Sequence, residues 1–179
     1  MLKTVDNQPE QTYPLILHSY LIMKGSMHMN NLEKEPTLLS QDLKIIFEIS
    51  ELFESYRSAF VDLVIEKRSD IDILLEYYSA PLRVIDTNYH LVLQDTAMII
   101  SKNAIGGELE KLRNLGFATS VLDTCQISVF NTRAAMVDTI WSRYTESKAL
   151  LARLYVTYLM GLTTDGWRIT TVINKPANN

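Results

Sequence analysis

Between residues 117 and 172 the sequence carries four long runs rich in valine, isoleucine, threonine and aromatic residues: 117–130, 134–145, 149–163 and 167–172. Branched and aromatic side chains suit a pleated, half-buried surface, so each run is predicted to be a β-strand. The breaks between them are short turn signals, Asn131–Thr132, Glu146–Ser147 and Thr164–Asp165–Gly166. Connections this short join antiparallel neighbours, because a parallel crossover needs a dozen residues or more. The last third therefore reads as an antiparallel meander, and strands of this length invite strong twist and curl. Such a sheet has one apolar face to bury. In 149–163 the even positions Leu150, Ala152, Leu154, Val156, Tyr158 and Met160 are expected to face inward. Arg153, Tyr155 and Thr157 are expected to face solvent or a partner.

The cover for the inner face comes earlier in the chain. Leu39, Leu43, Ile46, Phe53, Tyr56, Phe60 and Leu63 recur at helical spacing and predict a helix over 38–67. Thr37 and Ser40 offer caps, and Asp42 suits the dipole of the first turn. After a break at Arg68–Ser69, a second helix is expected over 70–79, capped by Asp70, with Ile71, Leu74, Leu75 and Tyr78 on one face. Pro81 ends it, because the residue before a proline avoids the helical region. Short strands at 82–86 and 90–94 flank a turn at Thr87–Asn88, and a third helix over 105–115 closes at Gly116. Helices first and a curled sheet after make an α+β domain.

Charge and composition narrow the partners. Over 179 residues the net charge is −4, and no basic face or arm stands out, so no nucleic-acid partner is expected. A single cysteine, Cys125, excludes an internal disulfide framework and fits a reducing, cytoplasmic setting. In its strand Cys125 reads as a small buried hydrophobe. The apolar run 14–23 is interrupted by His18, Ser19 and Tyr20. It is too short to span a bilayer and lacks the basic flank of a signal peptide, so no membrane association is expected. His18, His28 and His90 are scattered without metal-ligand spacing, and neither a metal nor a cofactor is expected. Gly106–Gly107 lacks the lysine and spacing of a phosphate loop. Residues 1–36 read as a flexible extension before a domain over 37–179, with Met27 or Met29 as a second plausible start. The alternative is that 13–23 packs on the domain or on a second subunit.

Three segments carry a family resemblance: 53–60 with Phe53, Tyr56 and Phe60; 70–86, running through Leu74, Tyr77 and Tyr78 to Val84, Ile85 and Asp86; and 158–169, from Tyr158 through Asp165, Gly166 and Trp167 to Ile169. In this order of elements the chain resembles the nuclear transport factor 2-like superfamily over residues 38–174, and within it the SnoaL-like and ketosteroid-isomerase-like proteins. The resemblance implies a cystatin-like fold, a curved antiparallel sheet wrapped on the long N-terminal helix as a cone. It also implies a mostly apolar pocket at the wide end and homodimers that pair sheet to sheet. In the isomerase branch, a tyrosine on the first helix and a protonated aspartic acid in the sheet polarise a carbonyl, while an aspartate at the end of the first strand moves the proton. By position Tyr56 matches that tyrosine and Asp86 the base. Tyr158 stands where the protonated acid would be, and a phenol is a donor too. The implied pocket comprises Tyr56, Phe60, Tyr77, Tyr78, Asp86, Trp141 and Tyr158.

Each of these residues also has an ordinary reading. A tyrosine on an apolar helix face is core, and an aspartate before a turn bonds its own backbone. Trp141, near Arg143, either lines the pocket or fills the core or a dimer interface, and Trp167 after the turn is structural. Three functions stand as expectations: a protein that binds an apolar small molecule; a cofactor-free isomerase, cyclase or dehydratase with Asp86 as base and Tyr56 and Tyr158 as donors; or an interaction module using the sheet face around Arg153, Tyr155 and Thr157, homodimeric in the simplest case.

Overall fold

The computed structural model describes residues 38–175, so the expectations for residues 1–36 fall outside the described residues. Helix α1, Leu38–Val64, buries Ile45, Ile49, Phe53, Phe60, Leu63 and Val64 along one stripe. Its early turns are rotated from the sequence expectation: Ile45 and Ile49, not Leu43 and Ile46, enter the core. With apolar residues at 43, 45, 46, 47 and 49, periodicity leaves the helix phase open there, and the stripe that continues into Phe53 and Phe60 wins. The helix stops short of residue 67, and Glu66 adopts a left-handed conformation with φ 59°. Arg113 reaches back from a later helix, and its guanidinium donates to the carbonyls of Leu63 (2.8 Å) and Val64 (3.2 Å). A cation on the last free carbonyls satisfies them and complements the helix dipole.

Asp70 caps as expected, accepting from the Asp72 amide at 3.1 Å, but the element it opens is only a 3-10 turn, Ile71–Glu76. Strand β1, Tyr78–Ile85, starts where the sequence predicts helix. The amide of Ile169 donates to the Tyr77 carbonyl at 2.8 Å and Tyr78 pairs with Ile169, so the sheet takes residues that local pattern assigns to a helix. Strand β2 is His90–Leu93. A short helix α2, Thr96–Ile100, has no counterpart in the sequence expectation; Asp95 caps it by accepting from the Met98 amide at 2.8 Å. Helix α3, Ile105–Asn114, ends before Gly116, whose φ of 70° is the left-handed closure read from the sequence. Strands β3 (Phe117–Asn131), β4 (Ala134–Thr145), β5 (Leu150–Thr163) and β6 (Gly166–Lys175) complete the fold.

The strands form one sheet in the order β2-β1-β6-β5-β4-β3. Every pair is antiparallel except β1 with β6, which is parallel. Tyr78 pairs with Ile169 and Ile85 with Ile173, so seven steps of β1 cover four of β6. The irregularity between Tyr78 and Arg83 contains Pro81, which has no N–H for a ladder. Further register shifts lie at Leu122/Thr124, Arg143/Tyr144 and Leu159/Met160. Bulges of this kind bend strands and increase twist. The curled inner face receives α1: Phe53 meets Tyr158 edge-on at 5.0 Å, and the buried Trp167 donates its indole N–H to Glu48 at 3.1 Å.

On β5 the inward set holds for Val156, Tyr158 and Met160, while Leu150 at the strand start is exposed. Thr157 is a correction. Expected outside, it is buried, because it donates to Asp138 on β4 while Lys175 on β6 donates to the same carboxylate at 2.6 Å. That three-strand polar ladder covers it. Among the described residues no helix is long and apolar enough to cross a membrane.

The clasp of Arg113 on α1 is testable. Arg113→Met is expected to cost about 1 kcal/mol in urea denaturation, below the usual range for charge-assisted bonds because the side chain is partly solvated. A cost indistinguishable from zero would show that α1 does not depend on it.

Candidate functional site

Beyond Phe53, side chains of α1 at Tyr56, Arg57 and Phe60 line a space. A cavity of about 500 Å3, partly open to solvent, lies between α1, the β1–β2 hairpin, α3 and strands β4, β5 and β6; its rim includes Arg153 and Tyr155, which alternation assigns to the outer face. Its walls are mostly apolar, with Phe60, Leu82, Val84, Leu93, Ile105 and Val156 among them. The volume falls within the range of about 300–1,000 Å3 of small-molecule sites.

At its inner end stands an aromatic cluster centred on Tyr56. Tyr56 meets Phe60 at 6.0 Å, Tyr77 at 5.5 Å, Tyr78 at 5.8 Å and Trp141 at 6.4 Å, the last three near edge-to-face. Such contacts favour a fixed arrangement of rings. The hydroxyls of Tyr56 and Tyr78 are 2.7 Å apart, and one donates to the other, leaving a proton for a third partner. Tyr158 lines the same wall.

Burial is the first cause holding the ionisation of Tyr56 above its ordinary value and that of Tyr78 well above it. Tyr158 is raised too, again by burial first, then by Tyr56. All three are neutral donors across the usual pH range. The Arg143 guanidinium opposes these shifts without cancelling them. Arg143 is on β4 two residues from Trp141, and pairs with Glu108 of α3 at 2.6 Å while lying 5.5 Å from the Phe60 ring centre. The Trp141 indole N–H is buried without a hydrogen-bond partner among the described residues. It lies close enough to the Tyr158 oxygen to favour its ionised form, but without the geometry of a hydrogen bond. A buried orphan donor costs about 1–3 kcal/mol.

This arrangement of helix, curled sheet and cavity agrees with the comparisons. The model of a family described as NTF2-like protein (DUF6841) matches residues 47–177. The chain belongs to this NTF2-like family. An NTF2-like protein with a cystatin-like fold from Novosphingobium aromaticivorans superposes with a TM-score of 0.60 at 17% identity, over 83% of this chain and 94% of that one. A proposed ketosteroid isomerase from Shewanella frigidimarina gives 0.53 at 14% identity over 70% and 92%. A proposed scytalone dehydratase from Novosphingobium aromaticivorans gives 0.52 at 14% identity over 77% and 87%. At these identities the likeness is one of fold. No curated protein matches.

In this NTF2-like chain six residues of the predicted pocket line one cavity: Tyr56, Phe60, Tyr78, Asp86, Trp141 and Tyr158. Tyr77 is not among the lining residues. It is buried, and its hydroxyl is 2.8 Å from that of Ser55, because the pairing of β6 with this segment turns Tyr78 rather than Tyr77 to the cavity. Sequence reasoning misses Arg143 and Glu108 as wall residues. Strand alternation from Trp141 would have found Arg143; nothing in the sequence joins Glu108 to it. The Cys125 thiol, pushed up to about 11 by burial first and then by Glu54, is not a lining residue. Among the described residues no group of His, Cys, Asp and Glu could hold a metal ion.

Two measurements check the tyrosine pair. Tyr56→Phe and Tyr78→Phe each are expected to cost about 1 kcal/mol, and the double variant about 1 kcal/mol less than the sum, since either change breaks the same bond. Additive costs would mean that the hydroxyls do not interact. The raised ionisations add a pH signature. Stability should be independent of these groups below about pH 10, where unfolded tyrosine is still neutral, and fall as pH rises further, because only the unfolded chain can release those protons. Tyrosinate absorbance that develops fully without unfolding would contradict it.

Proposed function

We propose that this chain binds a small, largely apolar molecule whose carbonyl or phenolic oxygen meets the tyrosine hydroxyls. The observation that carries the reading is the Tyr56–Tyr78 hydroxyl pair, set with Tyr158 in the wall of an apolar cavity of about 500 Å3. Neutral phenols in a largely apolar pocket fix the orientation of one ligand oxygen, while the apolar wall supplies most of the affinity.

A second reading is a cofactor-free isomerase, cyclase or dehydratase. Asp86, the proposed base, lines the same cavity as the proposed donors Tyr56 and Tyr158, and two structural relatives carry names of that kind. A base must reach the proton it moves, at about 3 Å or through one water.

A thermal-shift and calorimetric series with apolar ketones and phenols separates the two. Binding alone predicts stabilisation that Tyr56→Phe weakens by about fivefold in affinity, as for one lost hydrogen bond, and that Asp86→Asn does not abolish for neutral ligands. The enzyme reading requires exchange of a proton next to the carbonyl that Asp86→Asn abolishes. A series in which no compound binds would remove both.

A further inference from the structure

We propose that the ligand carries a basic nitrogen, held by Asp86 at one end of the cavity while its oxygen meets the tyrosines at the other. This deepens the binding reading above and rests on it.

The charges in the cavity wall are unequal in their partners. Arg57 bonds Glu54 at 3.0 Å, Arg143 bonds Glu108 at 2.6 Å, Arg153 bonds Asp123 at 3.2 Å, and Lys175 bonds Asp138 at 2.6 Å. Among the described residues, every cation that lines the cavity therefore already holds a carboxylate. Of the two lining carboxylates, Glu108 is taken by Arg143; Asp86 has no ion pair and no side-chain hydrogen bond among the described residues. An anionic ligand would compete with a resident carboxylate at each cation. A neutral ligand would leave the half-buried Asp86 carboxylate against it without a partner, which is unfavourable. A cation supplies what the wall lacks.

The surroundings of Asp86 suit an ammonium group. Its amide donates to the Tyr89 carbonyl at 2.9 Å, closing the turn so that both residues belong to the cavity wall. Tyr89 leaves 46% of its surface exposed, so its ring is open to a cation that Asp86 attracts. The two polar ends are well separated. Tyr78 and Ile85 pair with β6 residues four steps apart, which places their backbones about 13 Å apart along the sheet, with Asp86 one residue beyond. Leu82 and Val84 line the interval. The fitting molecule has an oxygen at one end, an apolar body, and a protonated amine at the other.

A phenol bearing a hexylamine chain in the para position tests this against its hexanol and hexanoate counterparts by calorimetry. The amine is expected to bind about tenfold more tightly than the alcohol, as a half-solvated ion pair with an added ring contact would give. The carboxylate is expected to bind weakest. In Asp86→Asn the amine should lose its advantage over the alcohol. In the wild-type protein, added salt should narrow the gap between amine and alcohol. An amine no tighter than the alcohol, or an advantage that survives Asp86→Asn or is insensitive to salt, overturns the inference and leaves the binding reading standing. If none of the three binds, both fall.

Discussion

A sheet of long, bulged strands curls, and one helix cannot fill the whole of its inner face. That mismatch organises the molecule. Along Ile45, Ile49 and Phe53 the helix α1 supplies enough volume, and these side chains are almost wholly buried. From Tyr56 onward, large aromatic side chains of the helix line a space beside the sheet instead of closing it. A space of about 500 Å3, partly open to solvent, is left between them.

The order of the strands determines which groups meet in that gap. Because β1 adds in parallel beside β6, Tyr78 is brought opposite Ile169 and its hydroxyl reaches Tyr56. The irregularity around Pro81 then carries the same strand on to Asp86. One strand thus contributes a deep neutral donor and, at its far end, a carboxylate. Strand β4 adds Trp141 and the Arg143 that Glu108 holds, which ties α3 to the sheet along the same wall.

Much of this is legible in the sequence, and the failures have physical causes. The four strands, the hairpin turns, Asp70 as a cap and Gly116 as a helix end are readable because local chemistry and long-range packing agree there. Tyr78 reads as helical because residues 70–79 have helical spacing; the deciding bond, from Ile169 to the Tyr77 carbonyl, comes from a residue some ninety positions away. The helix α2 is too short for periodicity, and only Asp95 marks its start. Strict alternation puts Thr157 on the outer face, but a neighbouring carboxylate and lysine bury it. Tyr56, Asp86 and Tyr158 are placed by resemblance, and they do line one cavity. Of the ion pairs that distinguish Asp86 from the other charged residues of the wall, Glu54–Arg57 follows from helical spacing, while the other three join separate elements and cannot be read from a single sequence.

The central claim is that the aromatic cluster is the polar end of a ligand cavity and not merely an incompletely filled core. A crystal structure of the protein with a bound apolar phenol or ketone tests it most directly. The account predicts the ligand oxygen within about 3 Å of the Tyr56, Tyr78 or Tyr158 hydroxyl, with the apolar body along Leu82, Val84 and Val156. A cavity closed by Trp141 and the tyrosines, with the compound bound elsewhere or not at all, would contradict it.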